Sequence, residues 1–243
     1  MNADPKELSI ILPAYNEGPR IHANLLILKQ KIDSLKITYE IIIVNDGSSD
    51  NTLSEAQSIV SDNMHVLSYE KHQGKGYAVK KGMLHSSGHF KLFMDVDLST
   101  SLDAVEEALD MLKEDKQDIV IGNRRPHAHL QEVQQSFYRQ CLGKAFTEIS
   151  NFWFGCRIAD FTCGFKMYTK GAADIVFQRQ KIFNWAFDAE LIYIALLHHL
   201  SIAELAVHWR HHEGSKVRPL SDIVSSLRGL IQIRINALKG LYR

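Results

Sequence analysis

"EIIIVNDGSSDNT", residues 40–52, carries four consecutive apolar side chains, Ile41 to Val44, into a turn rich in Asn, Asp, Gly and Ser. A strand with one wet face alternates apolar and polar residues, whereas an unbroken apolar run suits a strand covered on both faces of a mainly parallel sheet. The polar turn that follows Asp46 has the residues that close a strand and cap a helix, which predicts a helix opening near Asp50.

The same rhythm recurs on both sides of this stretch. Apolar runs "LSIILPAY" (8–15), "HVLSYE" (65–70), "FKLFMDVD" (90–97) and "DIVIGN" (118–123) alternate with segments of helical period. Strands alternating with helices predict an α/β fold with a mainly parallel, doubly wound sheet and helices on both faces. Ligands of such sheets gather at the carboxyl ends of the strands, and "PAYNE", "NDGSSD" and "DVDLS" fall there. Beyond about residue 124 the alternation fades. A polar stretch leads into a predicted helix over 131–154, then "DFTCGFKMYT", two further helical segments and a strand-like "SIAELAVHW". No repeat or linker divides the chain, so one domain over 1–243 is expected: a first half over about 8–123, a second over about 124–219, and a C-terminal amphipathic helix over 220–243.

With 243 residues, 45% of them hydrophobic and 23% charged, the chain has the material for a large buried core. Its 28 basic residues balance 28 acidic ones, so no global field draws it to nucleic acid, and an anion site has to be local. Cys141, Cys156 and Cys163 form neither an even framework nor a C-x-x-C pair, which points to a reducing, cytosolic setting. The opening "MNADPKELSI" is not expected to be a signal peptide. The apolar run "LIYIALL" (191–197) is too short to cross a bilayer, so a soluble or membrane-associated chain is expected.

Several motifs carry chemistry. Asp95 and Asp97 lie one residue apart at the end of an apolar run, and would project the same way if both stayed in extended chain. Two carboxylates in one small volume repel unless a hard divalent ion sits between them; the plainer reading is a strand-to-helix turn capped by Ser99 and Thr100. In "GKGYAV" (74–79) two glycines bracket Lys75 at a predicted helix start, where free N–H groups favour an anion. His208 and His212 could share a strand face, but no third metal ligand is evident. The aromatic cluster "NFWFG" (151–155) reads as core in preference to a lipid groove. Leu220, Val224, Leu227, Ile231, Ile235, Leu238 and Tyr242 recur at helical spacing, with four basic residues against the single acid Asp222 over 220–243. That profile suits a helix lying on an anionic membrane or one packed on the core.

Taken in order, "ILPAYNE", "VNDGSSD", "GKGYAV" and "DVDLS" resemble the nucleotide-sugar half of the family 2 glycosyltransferases, whose fold is of the GT-A type. "GNRR", "DFTCGFKMYT", "FNWAFDAELIYIA" and "AVHWRHHEGSK" look like the dolichyl-phosphate β-glucosyltransferase branch, with polyprenyl-phosphate mannosyltransferases as near relatives. The resemblance runs from about Leu8 to Lys216. It implies Pro13, Tyr15 and Glu17 at the nucleoside, Asp46 on the base, and Lys75 at the donor's diphosphate. Asp95 and Asp97 would hold Mg²⁺ or Mn²⁺, with Ser99 as a further oxygen ligand. Arg124, Arg139 and Lys216 would meet a polyprenyl-phosphate acceptor, and Asp188 stands where related enzymes place a base. Asn45 and His72 depart from the pattern, where many relatives have Asp and Asn. The reaction implied is metal-dependent, inverting transfer of a hexose, glucose from UDP-glucose before mannose from GDP-mannose, by an enzyme peripheral to the cytoplasmic face of a membrane. A non-catalytic nucleotide-sugar-binding module is the reading from another class.

Overall fold

The structure is a computed structural model that describes residues 6–114, 116–126, 137–210 and 219–243; the side chains of 137–142 and 219–224 fall outside the description. The element order is β1 (Leu8–Ala14), α1 (Gly18–Ser34), β2 (Tyr39–Asp46), α2 (Thr52–Gln57), β3 (Met64–Tyr69), α3 (Lys75–His85), β4 (Phe90–Met94), α4 (Ala104–Lys113) and β5 (Ile119–Asn123). The chain continues with α5 (Phe137–Phe154), β6 (Phe165–Thr169), α6 (Lys170–Arg179), α7 (Phe187–Leu197), β7 (Ile202–Ala206) and α8 (Pro219–Leu238). The expected helix over 131–154 is therefore described from Phe137, and 131–136 lie outside the described residues.

All seven strands join one sheet in the order β3-β2-β1-β4-β6-β5-β7. β1 pairs in parallel with β2 on one side and β4 on the other, so the strand order reverses beside β1. A crevice opens at such a switch point. The run Ile41 to Val44 is buried on both faces as its composition requires. Ile42 and Val44 pack with Ile11, α3, α6 and α7, while Ile41 and Ile43 pack with Leu8, Ile10, α1 and α4.

The second half of the chain completes this sheet. β6 enters between β4 and β5, antiparallel to both, and β7 extends the far edge parallel to β5. Antiparallel pairing lets β6 follow a loop that stays at the carboxyl ends of β4 and β5, so "DFTCG" delivers Asp160 to Gly164 to the crevice. A short pairing stitches the other side. Thr100 bridges Trp209, Ser101 N–H donates to the His208 carbonyl at 2.9 Å, and Arg210 N–H donates to the Ser99 carbonyl at 2.8 Å.

Candidate active site

The crevice is lined by turns that follow β1, β2 and β4 and by the start of α3. β4 ends at Met94, so Asp95 and Asp97 do not continue an extended strand as the sequence reading required for a shared face. They sit in a tight turn, closed by Leu98 N–H donating to the Asp95 carbonyl at 3.1 Å, with Leu98 at φ 53°. Asp97 accepts from the Ser99 amide at 2.9 Å, which fixes its carboxylate, while Ser99 itself is buried. Asp95 is held from below by a glycine. A Cβ on Gly164 would lie 2.0 Å from Asp95 Oδ2, so only Gly leaves room for that carboxylate.

Lys75 Nζ meets Asp95 Oδ1 at 2.5 Å, and the lysine side chain retains 30% of its exposure. Gly74, at φ 98°, ends the loop and starts α3. Gly76 lets Phe183 and Phe187 approach, since a Cβ there would lie 2.8 Å from the Phe187 side chain. The two glycines thus seat the first turn of α3 against the segment that begins α7. Burial works against the Lys75 charge, but Asp95 and Asp188 outweigh it and hold the ammonium above its usual pKa. Asp188 in turn pairs with Lys166 at 2.5 Å, inside the fold. Carboxylates and lysines alternate from Asp95 through Lys75 and Asp188 to Lys166, which keeps a cation aimed into the crevice and leaves each buried charge compensated.

The turn after β2 is built differently. Asp46 is 2% exposed, and its carboxylate accepts the amides of Gln73 at 2.7 Å and Gly74 at 3.0 Å. His72 Nδ1 lies 2.9 Å from Asp46 Oδ2, and its ring stacks on Tyr15 with centroids 4.0 Å apart. Asn45 donates to Ser68 Oγ at 2.9 Å and accepts from the Ser48 amide at 3.3 Å. Pro13 and Tyr15 are half-buried beside this turn. Glu17 binds Arg20 Nε at 2.5 Å; its carboxylate raises the guanidinium's pKa, and Asp97 and Asp95 add to the effect. Arg20 is a cation beside the acidic turn that the sequence reading missed, since an arginine near a helix start has no distinguishing pattern.

Of the residues expected to meet an acceptor, Arg124 does not present a free guanidinium. Nε and Nη2 grip Asp160 at 2.6 and 2.8 Å, Nη2 also reaches Thr162 at 2.9 Å, and the group stacks over Trp209 at 5.7 Å. Burial opposes the charge, yet Asp160 holds the guanidinium well above its ordinary pKa. The Arg139 side chain and Lys216 lie outside the described residues. Glu190, two residues from Asp188, accepts from the amides of Lys181 and Ile182 and from the Tyr242 hydroxyl. Burial pushes its carboxyl up to about 7, and it ties the C-terminus to α7 rather than facing the crevice.

No group of three or more His, Cys, Asp or Glu side chains that could hold a metal occurs among the described residues. The donor set of the β4 turn, two carboxylates and a hydroxyl, nevertheless has the hard oxygens that Mg²⁺ or Mn²⁺ takes. A cation there would need further oxygens from a bound ligand such as a diphosphate.

The model of glycosyl transferase family 2 matches residues 9–177. The chain belongs to this family. It is a glycosyltransferase, and the motifs at the carboxyl ends of β1, β2 and β4 are the ones the sequence likeness rested on. Among its relatives are the dolichyl-phosphate β-glucosyltransferases of Homo sapiens, 36% identical over 98% of this chain and 78% of the relative, and of Dictyostelium discoideum, 35% identical over 97% of this chain and 76% of the relative. The enzyme of that name from Saccharomyces cerevisiae is 33% identical over 97% of this chain and 76% of its own length. Among solved structures, glucosyl-3-phosphoglycerate synthase from Mycobacterium tuberculosis in complex with UDP superposes with a TM-score of 0.70 at 18% identity, covering 94% of this chain and 80% of that one. The same enzyme with Mn²⁺, UDP-glucose and glycerol 3-phosphate gives 0.66 at 18%, covering 95% and 79%. These likenesses establish the GT-A fold.

Proposed function

We propose that this glycosyltransferase moves glucose from UDP-glucose to a polyprenyl phosphate of the dolichyl type, with inversion at the anomeric carbon. One observation supports it above the others: Lys75, paired to Asp95 beside Asp97, stands at the first turn of a helix facing the switch point of the sheet. That arrangement suits a diphosphate leaving group, and the relatives named for glucosyl transfer to dolichyl phosphate supply the sugar and the acceptor.

In this reading Pro13, Tyr15 and Asp46 bound the nucleoside, Asp46 through the 72–74 turn it fixes, and Glu17 acts through Arg20. Lys75 binds the diphosphate, and its charge gains value as the bond to glucose breaks and the leaving oxygens become more negative. Asp95 and Asp97, with Ser99, would hold a divalent Mg²⁺ or Mn²⁺, which when bound supplies Lewis-acid stabilisation of the leaving diphosphate. The acceptor phosphate, with a second pKa of about 6, is already largely dianionic at neutral pH. Its oxygen attacks the anomeric carbon as the carbon–oxygen bond to UDP breaks, and UDP departs with the electron pair. No proton has to be removed, so Asp188 serves best as the fixed charge that orients Lys75, the role its pairing with Lys166 suits. Arg124, held by Asp160, together with Arg139 and Lys216, would receive the acceptor's phosphate. The enzyme would work peripherally at the cytoplasmic face of a membrane, where a soluble donor meets a lipid acceptor.

A donor screen tests the reading. Purified protein, Mg²⁺ or Mn²⁺ and a short polyprenyl phosphate are incubated with UDP-glucose or GDP-mannose, and the product is weighed by mass spectrometry. A glucosyl phosphate lipid from UDP-glucose is expected; a mannosyl product, or none with either donor, refutes the assignment.

A further inference from the structure

The C-terminal helix divides its apolar residues between two faces. Leu230 and Ile233 are buried, and Gly229 presses so closely on the N-cap of α7 that a Cβ there would lie 2.2 Å from the Ala186 side chain. Ile231 at 53%, Leu238 at 89%, Leu227 and Ile235 are exposed instead. At 100° per residue these four fall within an arc of about 80°, roughly opposite the docked face. Tyr242, which the sequence pattern placed with them, is buried past the helix end against Glu190. Among the described residues, the exposed arc is therefore apolar surface left uncovered.

A second helix extends it. The aromatic cluster at the end of α5, read from sequence as core, is core only at Phe154, which packs on Phe161 and Tyr193. Phe152 is 86% exposed, and Ile149 and Trp153 are exposed beside it. Arg234 joins the two helices by donating to the Trp153 carbonyl at 2.7 Å, from a position flanking Ile231 and Leu238 on α8. Arg228 and Lys239 edge the other side of the arc and are exposed, as is Arg243 beyond the helix.

We propose that the exposed faces of α5 and α8 form one docking surface for an anionic bilayer, with Phe152, Ile231 and Leu238 in the acyl region and Arg228, Arg234 and Lys239 at the headgroups. An apolar stripe rimmed by basic residues is the pattern of a helix lying in the membrane interface, and neither described helix is long and apolar enough to cross a membrane. Charge selects lipid over a second copy of this chain. A symmetric contact through the same patch sets like charges against one another, whereas anionic headgroups neutralise them. The surface gives the lipid-acceptor reading above a physical route to its substrate and rests on that reading for its purpose, though not for its residues.

The test uses the full chain and vesicles of phosphatidylcholine with or without phosphatidylglycerol, containing neither polyprenyl phosphate nor nucleotide. Co-sedimentation with the anionic vesicles is expected, weakened by salt. The triple variant Phe152→Ser, Ile231→Ser and Leu238→Ser should lose at least about a hundredfold in partitioning, since three exposed apolar side chains no longer enter lipid. Because all three are exposed, its melting temperature should hold, and so should its transfer to a short acceptor in detergent. Equal partitioning of wild type and variant, or no wild-type binding to anionic vesicles, overturns the proposal. So does a wild-type dimer that the substitutions split without any lipid affinity. If vesicle binding behaves as expected while the donor screen yields no glucosyl lipid, the docking surface stands and the assigned reaction falls.

Discussion

The turns after β2 and β4 look alike in sequence: each ends an apolar strand with acidic residues and leads through small polar residues towards a helix. Their carboxylates nevertheless meet different fates. Asp46 is sealed at 2% exposure with two backbone amides and His72 as partners. Asp95 keeps 36% of its side-chain exposure and is paired to a lysine that is itself partly exposed. A carboxylate that satisfies backbone donors builds a loop, because removing it strands amides that have no other partner. A carboxylate held by a partly exposed ammonium can exchange that partner for a cation or a substrate group. The difference separates scaffold from chemistry more sharply than the presence of an acid.

The largest effect expected from this contrast is at Asp97. Asp97→Asn keeps the volume and an oxygen for the Ser99 amide but removes a charge, so transfer should fall about 10²–10³-fold, the scale of losing one preorganised electrostatic contact. Its melting temperature should stay within a few degrees of wild type. Gly164→Ala attacks the same turn from below. The three atoms nearest the new Cβ all belong to the Asp95 carboxylate, which can swing away, so the fold should survive while the carboxylate leaves Lys75 and transfer drops at least about tenfold, a misplacement cost. Full activity in Gly164→Ala would show that the position of Asp95 is unimportant, and the contrast between the two turns would fail.

Much of this architecture was legible in the sequence, and the exceptions share a cause. β1, β2 and β4 announced themselves because each carries a mostly apolar run into a polar turn and alternates along the chain with segments of helical period. Lys75 stood out because two glycines flank it at a helix start. β6 did not, because its apolar residues around Lys166 lie outside that alternation and its antiparallel direction leaves no trace in periodicity. That lysine was itself a signal: a charge within an apolar run requires a buried partner, and Asp188, one of two buried acids in the first turn of α7, is the one that meets it. Arg124–Asp160 and Gly164–Asp95 are contacts made by tertiary folding, and spacing along the chain does not encode them. The exposure of Phe152 was likewise hidden, since an aromatic residue near the end of a helix has the same pattern whether it faces core or lipid.

The turn after β2 should break in the opposite way. Asp46→Asn puts an NH₂ group where one of the Gln73 and Gly74 amides needs an acceptor, leaving a buried donor unsatisfied at a cost of about 1–3 kcal/mol. Chemical denaturation should register that loss, and UDP affinity should fall only to the extent that the 72–74 turn loosens. A variant as stable as wild type that no longer binds UDP would make Asp46 a direct reader of the base and erase the distinction drawn here.

The smallest effect, and the finest division of the two turns, is expected at His72. Its ring stacks on Tyr15, and its Nδ1 reaches Asp46 Oδ2 at 2.9 Å, yet 49% of the side chain remains exposed. His72→Asn can keep a donor for Asp46 while losing the ring contact, and such aromatic pairs contribute about 0.5–1.5 kcal/mol. Solvent exposure places this one at the low end, so stability should fall by less than about 1 kcal/mol. Calorimetric titration with UDP then decides what the ring is for. A loss of affinity no larger than the loss of stability means that His72 only braces Tyr15 and the turn. A loss several-fold greater means that the stacked pair forms part of the nucleoside's binding wall, and the scaffold turn would then contribute to recognition through this one exposed ring.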